Sequence, residues 1–293
     1  MLKPEIIAKI KQLQLKAGYL TSNAMVGEYS SAFKGLGQEF DKVREYIPGD
    51  DIRSIDWNVT ARMNEPYVKV FREEREMTLM LMVDVSPSQR FGTTGAFKQE
   101  QAAELAAILA FLAIKNNDKV GLLVFSDHVE EFIRPQKGRA HVWRIIRTVL
   151  THQGSGKKTD IASATNYLIN VIRRKSMCFL ISDFQAENFE KGIRILGKKH
   201  DLTCCITTDP REEKLPDCGL LEVTDPETGE RYCLDFSNRK SQEFLKASWQ
   251  QEKAELVHLF RRMNASHFFI NTDESVVNLV IHYLKYRERR LSR

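Results

Sequence analysis

Thr78-Leu79-Met80-Leu81-Met82-Val83-Asp84-Val85-Ser86-Pro87-Ser88 is the stretch whose reading decides the fold. The apolar run from Thr78 to Val83 has the length and composition of a strand buried on both faces of a parallel sheet. Such strands end at the edge where open α/β proteins bind their ligands. Asp84, Ser86 and Ser88 follow at alternate positions and set one carboxylate beside two hydroxyls. These are hard oxygen donors, suited to Mg²⁺ or a similar cation.

Downstream, helix and strand signals alternate. Ala96 to Lys115 is apolar on most faces, as expected of a helix packed tightly on a sheet. Lys119–Phe125 reads as a strand and Val129–Arg134 as a shorter one, with helices over 138–150 and 160–173. Met177–Asp183 is the next buried strand, followed by a helix over 187–198 and the strand Asp201–Thr207. A hairpin over 219–236, a helix over 239–263, a last strand His267–Ile270 and a closing helix over 274–288 complete the pattern. This alternation predicts an α/β fold: a doubly wound, mostly parallel sheet with helices on both faces.

Upstream, residues 4–17 carry Ile6, Ile7, Ile10 and Leu13 at amphipathic helical spacing. From 18 to 66 the chain is turn-rich, with Gly27, Gly35, Gly37, Pro48-Gly49-Asp50-Asp51 and Asn64-Glu65-Pro66. Short strands or irregular structure are expected there rather than helices. Tyr67–Phe71 reads as a strand leading toward the core. The expected organisation is a turn- and strand-rich N-terminal extension over 1–75 and an α/β domain over 76–290.

The 293 residues can bury a substantial core, and 42% apolar with 28% charged residues is the balance of an ordinary globular protein. A net charge of +5 is mild, and nucleic acid is not an expected partner. The first residues lack a signal peptide's apolar segment, and no run of 18 apolar residues predicts a membrane span. Five cysteines without zinc spacing fit reduced thiols, and a cytoplasmic location is expected.

Two further oxygen donors follow from position. Thr159 lies in the loop after Gly154-Ser155-Gly156-Lys157-Lys158 and just before a helix, and Asp183 ends its strand as Asp84 does. If the two strands are neighbours, both carboxylates emerge at one edge. The Gly154–Thr159 loop has part of a P-loop pattern, but Lys158 stands where Ser or Thr must follow Gly-Lys, and a helix precedes it.

In this the chain resembles the von Willebrand A-like fold with its metal-ion-dependent adhesion site, which uses Asp-x-Ser-x-Ser, a later Thr and a later Asp. Asp84, Ser86, Ser88, Thr159 and Asp183 match in order. The resemblance implies Mg²⁺, with Mn²⁺ or Ca²⁺ as alternatives, completed by an acidic residue of a protein partner. Upstream, Gly35-Leu36-Gly37-Gln38-Glu39-Phe40, Arg44-Glu45-Tyr46, Gly49-Asp50-Asp51-Ile52-Arg53-Ser54-Ile55-Asp56-Trp57 and Ala61-Arg62 look like the signature of the prokaryotic family DUF58. Its members commonly accompany MoxR-type AAA+ ATPases. Gln89 departs from the Met that many relatives carry, at a position that is not a ligand.

Asp50, Asp51, Arg53, Asp56 and Arg62 are expected to form either an ion-paired clasp onto the main domain or a docking surface, with Trp57 as an anchor. The expected function is a non-enzymatic, metal-dependent adaptor working with a MoxR-type ATPase in protein assembly or maturation. The alternative is a metal-assisted hydrolase at the same residues. No His falls within the three ligand segments to act as its base.

Overall fold

The computed structural model describes residues 23–33, 38–73, 76–93, 96–213, 219–224, 227, 229–235, 237–263 and 265–291. In chain order the elements are α1 (Asn23–Ala32), β1 (Gln38–Glu45), α2 (Trp57–Met63), β2 (Tyr67–Glu73), β3 (Thr78–Asp84), α3 (Lys98–Lys115), β4 (Lys119–Phe125) and β5 (Val129–Gln136). Then come α4 (Arg139–Thr151), α5 (Ile161–Val171), β6 (Met177–Ser182), α6 (Glu190–Lys199), β7 (Asp201–Thr208) and the single turn α7 (Pro210–Glu213). The chain continues through β8 (Leu220–Thr224), β9 (Arg231–Asp235), α8 (Arg239–Arg262), β10 (Ser266–Asn271) and α9 (Val276–Leu291).

Six strands form the main sheet in the order β10-β7-β6-β3-β4-β5. Every neighbouring pair is parallel except β4–β5, which is antiparallel at the edge. The chain enters at β3, winds outward through β4 and β5, then returns to β6 and winds the other way. The strand order therefore reverses between β3 and β6, the place where open α/β sheets form a ligand crevice. This is the doubly wound α/β architecture that the alternation of elements predicts, and it is von Willebrand A-like.

Alternation along β3 divides the core. Leu79, Leu81 and Val83 face the layer that holds α3 and α4, while Met80 and Met82 face residues of α5 and α6. α3 is buried over most of its length, from Lys98 to Ala113, as its near-continuous apolar sequence requires.

The extension holds the short strands expected of it, β1 and β2, but not strands and irregular structure alone. Two helices lie in it. α1 carries Tyr29, Ala32 and Phe33 at i, i+3 and i+4, all of them buried in the main core. α2 is started by Asp56, whose side chain accepts from the amides of Asn58 and Val59, and is stopped by Asn64 in the left-handed region at φ 58°. In sequence Asp56 reads equally well as a cap or as a charged site residue; in the structure it is the cap. β2 does not join the main sheet: it pairs antiparallel with β1 in a separate two-stranded sheet, with a bulge between Phe40 and Lys42. The helix expected over 4–17 lies outside the described residues.

α1 is fixed by the last helix. Arg287 of α9 donates Nε to the Ala32 carbonyl (2.8 Å), ion-pairs with Asp201 and lies 4.5 Å over the Phe33 ring. Arg287 thus turns inward from α9, part-buried between α1 and the start of β7. Phe33 also meets Phe179 of β6 edge-on, with centroids 6.1 Å apart. Phe33→Ala is expected to cost about 3–5 kcal/mol in chemical denaturation, because it opens a cavity between α1, β6 and α9.

Candidate functional site

β3 and β6 run parallel with Val83 opposite Ile181, so Asp84 comes level with Ser182 and Asp183 follows one residue further on, at the same edge of the sheet. Both are buried, at 0% and 8% exposure. Asp84 Oδ1 accepts from the Ser86 amide (2.9 Å), and Oδ2 accepts from the Ser182 hydroxyl (2.5 Å). Ser86 precedes a tight turn over Pro87–Arg90, which folds Ser88 back until the two hydroxyl oxygens are 3.1 Å apart. Burial, and then the adjacent Asp183 charge, push the Asp84 carboxyl well above the usual carboxylate range, against the hydrogen bonds from Ser182 and Ser86.

Lys98, the first residue of α3, reaches into this cluster. Its ammonium group is 3.3 Å from Asp183 Oδ2 and pairs closely with Glu212 of α7, with both lysine and aspartate side chains 2% exposed. Burial would lower the Lys98 pKa, but Asp183 and Glu212 outweigh it and raise it, so the group stays charged. Glu212 is itself placed by the Asp209 amide, which donates to its second oxygen (2.9 Å). Lys98 was missed from the sequence, yet a signal exists. A lysine in the first turn of an otherwise apolar helix opposes the helix dipole and implies carboxylates close by.

Thr159 lies elsewhere on the same cavity. That space, about 1290 Å³, is lined by Lys98, Thr159, Asp183, Glu212 and Glu227 on one side and by α8 residues including Trp249 on the other. The Thr159 hydroxyl donates to Glu227 Oε1 at 2.8 Å. Glu227 lies between β8 and β9, so a carboxylate of the chain's own hairpin stands against this hydroxyl. Asp84, Ser86, Ser88 and Asp183 are thus gathered at the switch point, and Thr159 shares the cavity with Asp183. Gln89 is buried beside them and accepts from the Thr207 hydroxyl at 3.1 Å.

The loop before Thr159 is held by Glu130 of β5. Its carboxylate accepts from the Ser126 hydroxyl (2.5 Å), His152 Nε2 (2.7 Å) and the amides of Ser155 (2.9 Å) and Gly156 (3.3 Å). Gly154 and Gly156 permit the approach: a Cβ on the first would meet the Val85 carbonyl at 2.1 Å, and on the second the Ser126 hydroxyl at 2.2 Å. The glycine-rich loop that partly matches a P-loop therefore does bind an anion with its amides, but the anion is Glu130.

A second constellation lies on this loop. Asp127 Oδ1 is 2.6 Å from His128 Nδ1, and His128 Nε2 is 3.4 Å from the Ser155 hydroxyl. The amides that would stabilise an oxyanion are already committed, those of Ser155 and Gly156 to Glu130 and that of Lys157 to Asp127. The arrangement braces the loop.

In the signature segment the bonds stay within the extension. Asp50 makes a bidentate pair with Arg44 (2.7 and 2.7 Å), Asp51 caps the turn over Ile52–Ser54, and Asp56 caps α2 and faces Lys69 at 3.6 Å. Arg53 and Arg62 are exposed, and Trp57 is 67% exposed, so Trp57 anchors no core. The clasp drawn from the sequence reaches toward the main domain, whereas these contacts are local, because carboxylates preceding short helical turns are captured by the free amides there.

The donors suit a hard cation. Among the described residues no three His, Cys, Asp or Glu side chains are grouped to hold a metal, so a cation at this edge would depend on serine and threonine hydroxyls. The buried thiols of Cys178 and Cys204 are pushed up by burial and lie in strands of the core.

The fold, with its strand order β10-β7-β6-β3-β4-β5, is that of a von Willebrand A-like module. Residues 42–255 match the family described as Protein of unknown function DUF58, well over half of the chain, and the chain belongs to that family. It is 28% identical over 291 residues to Uncharacterized protein Rv1480 of Mycobacterium tuberculosis, covering 98% of this chain and 91% of that protein. Among solved structures it is similar to an aerotolerance-related membrane protein from Bacteroides fragilis, with 14% identity, 72% of this chain and 99% of that one covered, and a TM-score of 0.47. It is also similar to the SpRpn10 VWA domain, with 8% identity, 70% and 94% coverage and a TM-score of 0.40. The expected cytoplasmic location is withdrawn: the Bacteroides fragilis protein is itself described as a membrane protein. Among the described residues no helix is long and apolar enough to cross a membrane, and no compartment is assigned.

Burial would raise the Glu130 carboxyl, but the hydrogen bonds from Ser126, His152, Ser155 and Gly156 outweigh it and bring it from 4.5 down to about 2. Because the folded value is depressed, this anchor is fully present above pH 4.5 and is lost as pH falls through about 2. Glu130→Gln is expected to speed amide exchange of Ser155 and Gly156 about tenfold or more at neutral pH, since hydrogen bonds to a charged group contribute about 1.5–3 kcal/mol. Hydrogen exchange read by NMR checks this.

Proposed function

We propose that this protein is a metal-dependent interaction module. In this reading Asp84, Ser86, Ser88, Thr159 and Asp183 hold a divalent cation, Mg²⁺ by the hardness of the donors, that recruits an acidic group of a protein partner. The observation that carries the reading is the convergence at the switch point. Two carboxylates and two hydroxyls come from adjacent parallel strands and the turn after β3 into one buried cluster, and its Asp183 lines a cavity large enough to admit a partner's side chain. The Thr159–Glu227 contact supports the second half, because a carboxylate already fits beside that hydroxyl.

When bound, the cation supplies a directional electrostatic bond to the incoming acid. The chain's residues do the rest: Ser182 and the Ser86 amide orient Asp84, the Pro87–Arg90 turn orients Ser88, and Glu130 fixes the loop that ends in Thr159. By its family resemblance the partner is a MoxR-type AAA+ ATPase and the role is that of an adaptor in protein assembly or maturation.

Asp84→Ala is expected to abolish Mg²⁺ binding in calorimetry and to leave the melting temperature equal or higher, because the repulsion between Asp84 and Asp183 is relieved. In parallel, a MoxR-type AAA+ ATPase should co-purify with wild type in Mg²⁺, and not with chelator or with Asp84→Ala. Unchanged Mg²⁺ binding by Asp84→Ala would falsify the site, and chelator-insensitive co-purification would remove the metal from the interaction.

A further inference from the structure

Lys98 stands where a cation is least expected and most tightly held. It opens α3, against the helix dipole, and its side chain is 2% exposed. A buried ammonium in that position persists only through the carboxylates around it. Its two partners differ. Asp183 belongs to the cluster with Asp84, whereas Glu212 lies on α7, just after β7, and lines the open cavity with Lys98 and Asp183.

We propose that Lys98 is the resident cation of this site, and that a divalent cation binds by displacing its ammonium group from Asp183 toward Glu212. The proposal rests on the metal-binding reading above and adds to it a built-in competitor. Without a cation the adjacent Asp84 and Asp183 repel each other in a buried setting, and the Lys98 charge offsets that repulsion. A divalent ion brings twice the charge and can also take hydroxyl oxygens, which an ammonium group cannot coordinate as ligands. Displacement needs no loss of pairing. The four-carbon stem is flexible, Glu212 is held in place by the Asp209 amide (2.9 Å), and the cavity beside it gives the ammonium group room. The ammonium group already touches both acids, so releasing Asp183 leaves it paired with Glu212. It sets a threshold: a monovalent ion gains nothing over the ammonium already present.

The full chain is titrated with Mg²⁺ by calorimetry as wild type, Lys98→Gln, Lys98→Arg and Asp84→Ala. Lys98→Gln is expected to bind about tenfold more tightly or better, since a like charge at this range shifts a site by about one to three logarithmic units. Lys98→Arg, which keeps the charge, should bind no more tightly than wild type, and Asp84→Ala should not bind. Equal or weaker binding by Lys98→Gln, with Asp84-dependent wild-type binding intact, overturns the role of Lys98 and leaves the metal site standing. Tight binding by Lys98→Arg overturns it too. Absence of Asp84-dependent binding in both wild type and Lys98→Gln overturns both readings. Should Lys98→Gln not fold, wild-type protein is acylated with an N-hydroxysuccinimide ester and Lys98 labelling is read by peptide mass spectrometry. Labelling should rise several-fold on adding Mg²⁺; labelling that does not change overturns the displacement.

Discussion

The parallel ladder between Thr78–Asp84 and Met177–Ser182, with Leu79 opposite Met177 and Val83 opposite Ile181, is the constraint on which this structure turns. Parallel strands in register end at one edge, where Asp84 closes the first and Asp183 follows the second. Strand order reverses between these two, so no crossover helix covers the gap and the crevice stays open. Two apolar strands, buried because helices cover both faces of the sheet, thus deliver two acids to one point. Moving either strand by one residue would turn its terminal acid to the opposite face.

Two buried acids at one point require compensation, and the surrounding chemistry is arranged to supply it. Asp84 is met by hydrogen-bond donors, the Ser86 amide and the Ser182 hydroxyl, while Asp183 is met by a full charge on Lys98. The difference matters for function. Neutral donors orient a carboxylate without cancelling its charge, so Asp84 can still attract a cation. Lys98 does cancel charge, and it does so from a flexible stem with a second acid within reach. The orientation of Asp84 and the charge compensation of Asp183 therefore come from different residues.

The sequence made the sheet legible because its strands are long apolar runs bounded by charged residues and its helices have a distinct period. Asp84, Ser86, Ser88 and Asp183 were legible because strand-end placement follows from the same runs. Thr159 was legible as a position in a loop, but its bond to Glu227 was not, since 68 residues separate them and a hairpin insertion intervenes. α1 escaped because its buried face amounts to three residues, Tyr29, Ala32 and Phe33, and the Arg287 that secures it lies 255 residues on. α2 escaped for another reason. Asp56 caps it, and in a segment already dense with Asp and Arg a capping acid looks like a site residue.

The loop that ends in Thr159 shows how local chemistry and the site are joined. Glu130 fills the anion position formed by the amides of Ser155 and Gly156, and through His152 it also ties the end of α4 to the same point. Gly154 and Gly156 let the loop lie against Val85 and Ser126, the residues that follow β3 and β4. A phosphate would have to displace a carboxylate that four donors hold, so the amide nest serves architecture rather than ligand binding. What the nest accomplishes is to hold the approach to Thr159 against the end of the strand that carries Asp84. The hydroxyl and the acid cluster are thereby referred to one rigid edge, although they come from distant parts of the chain.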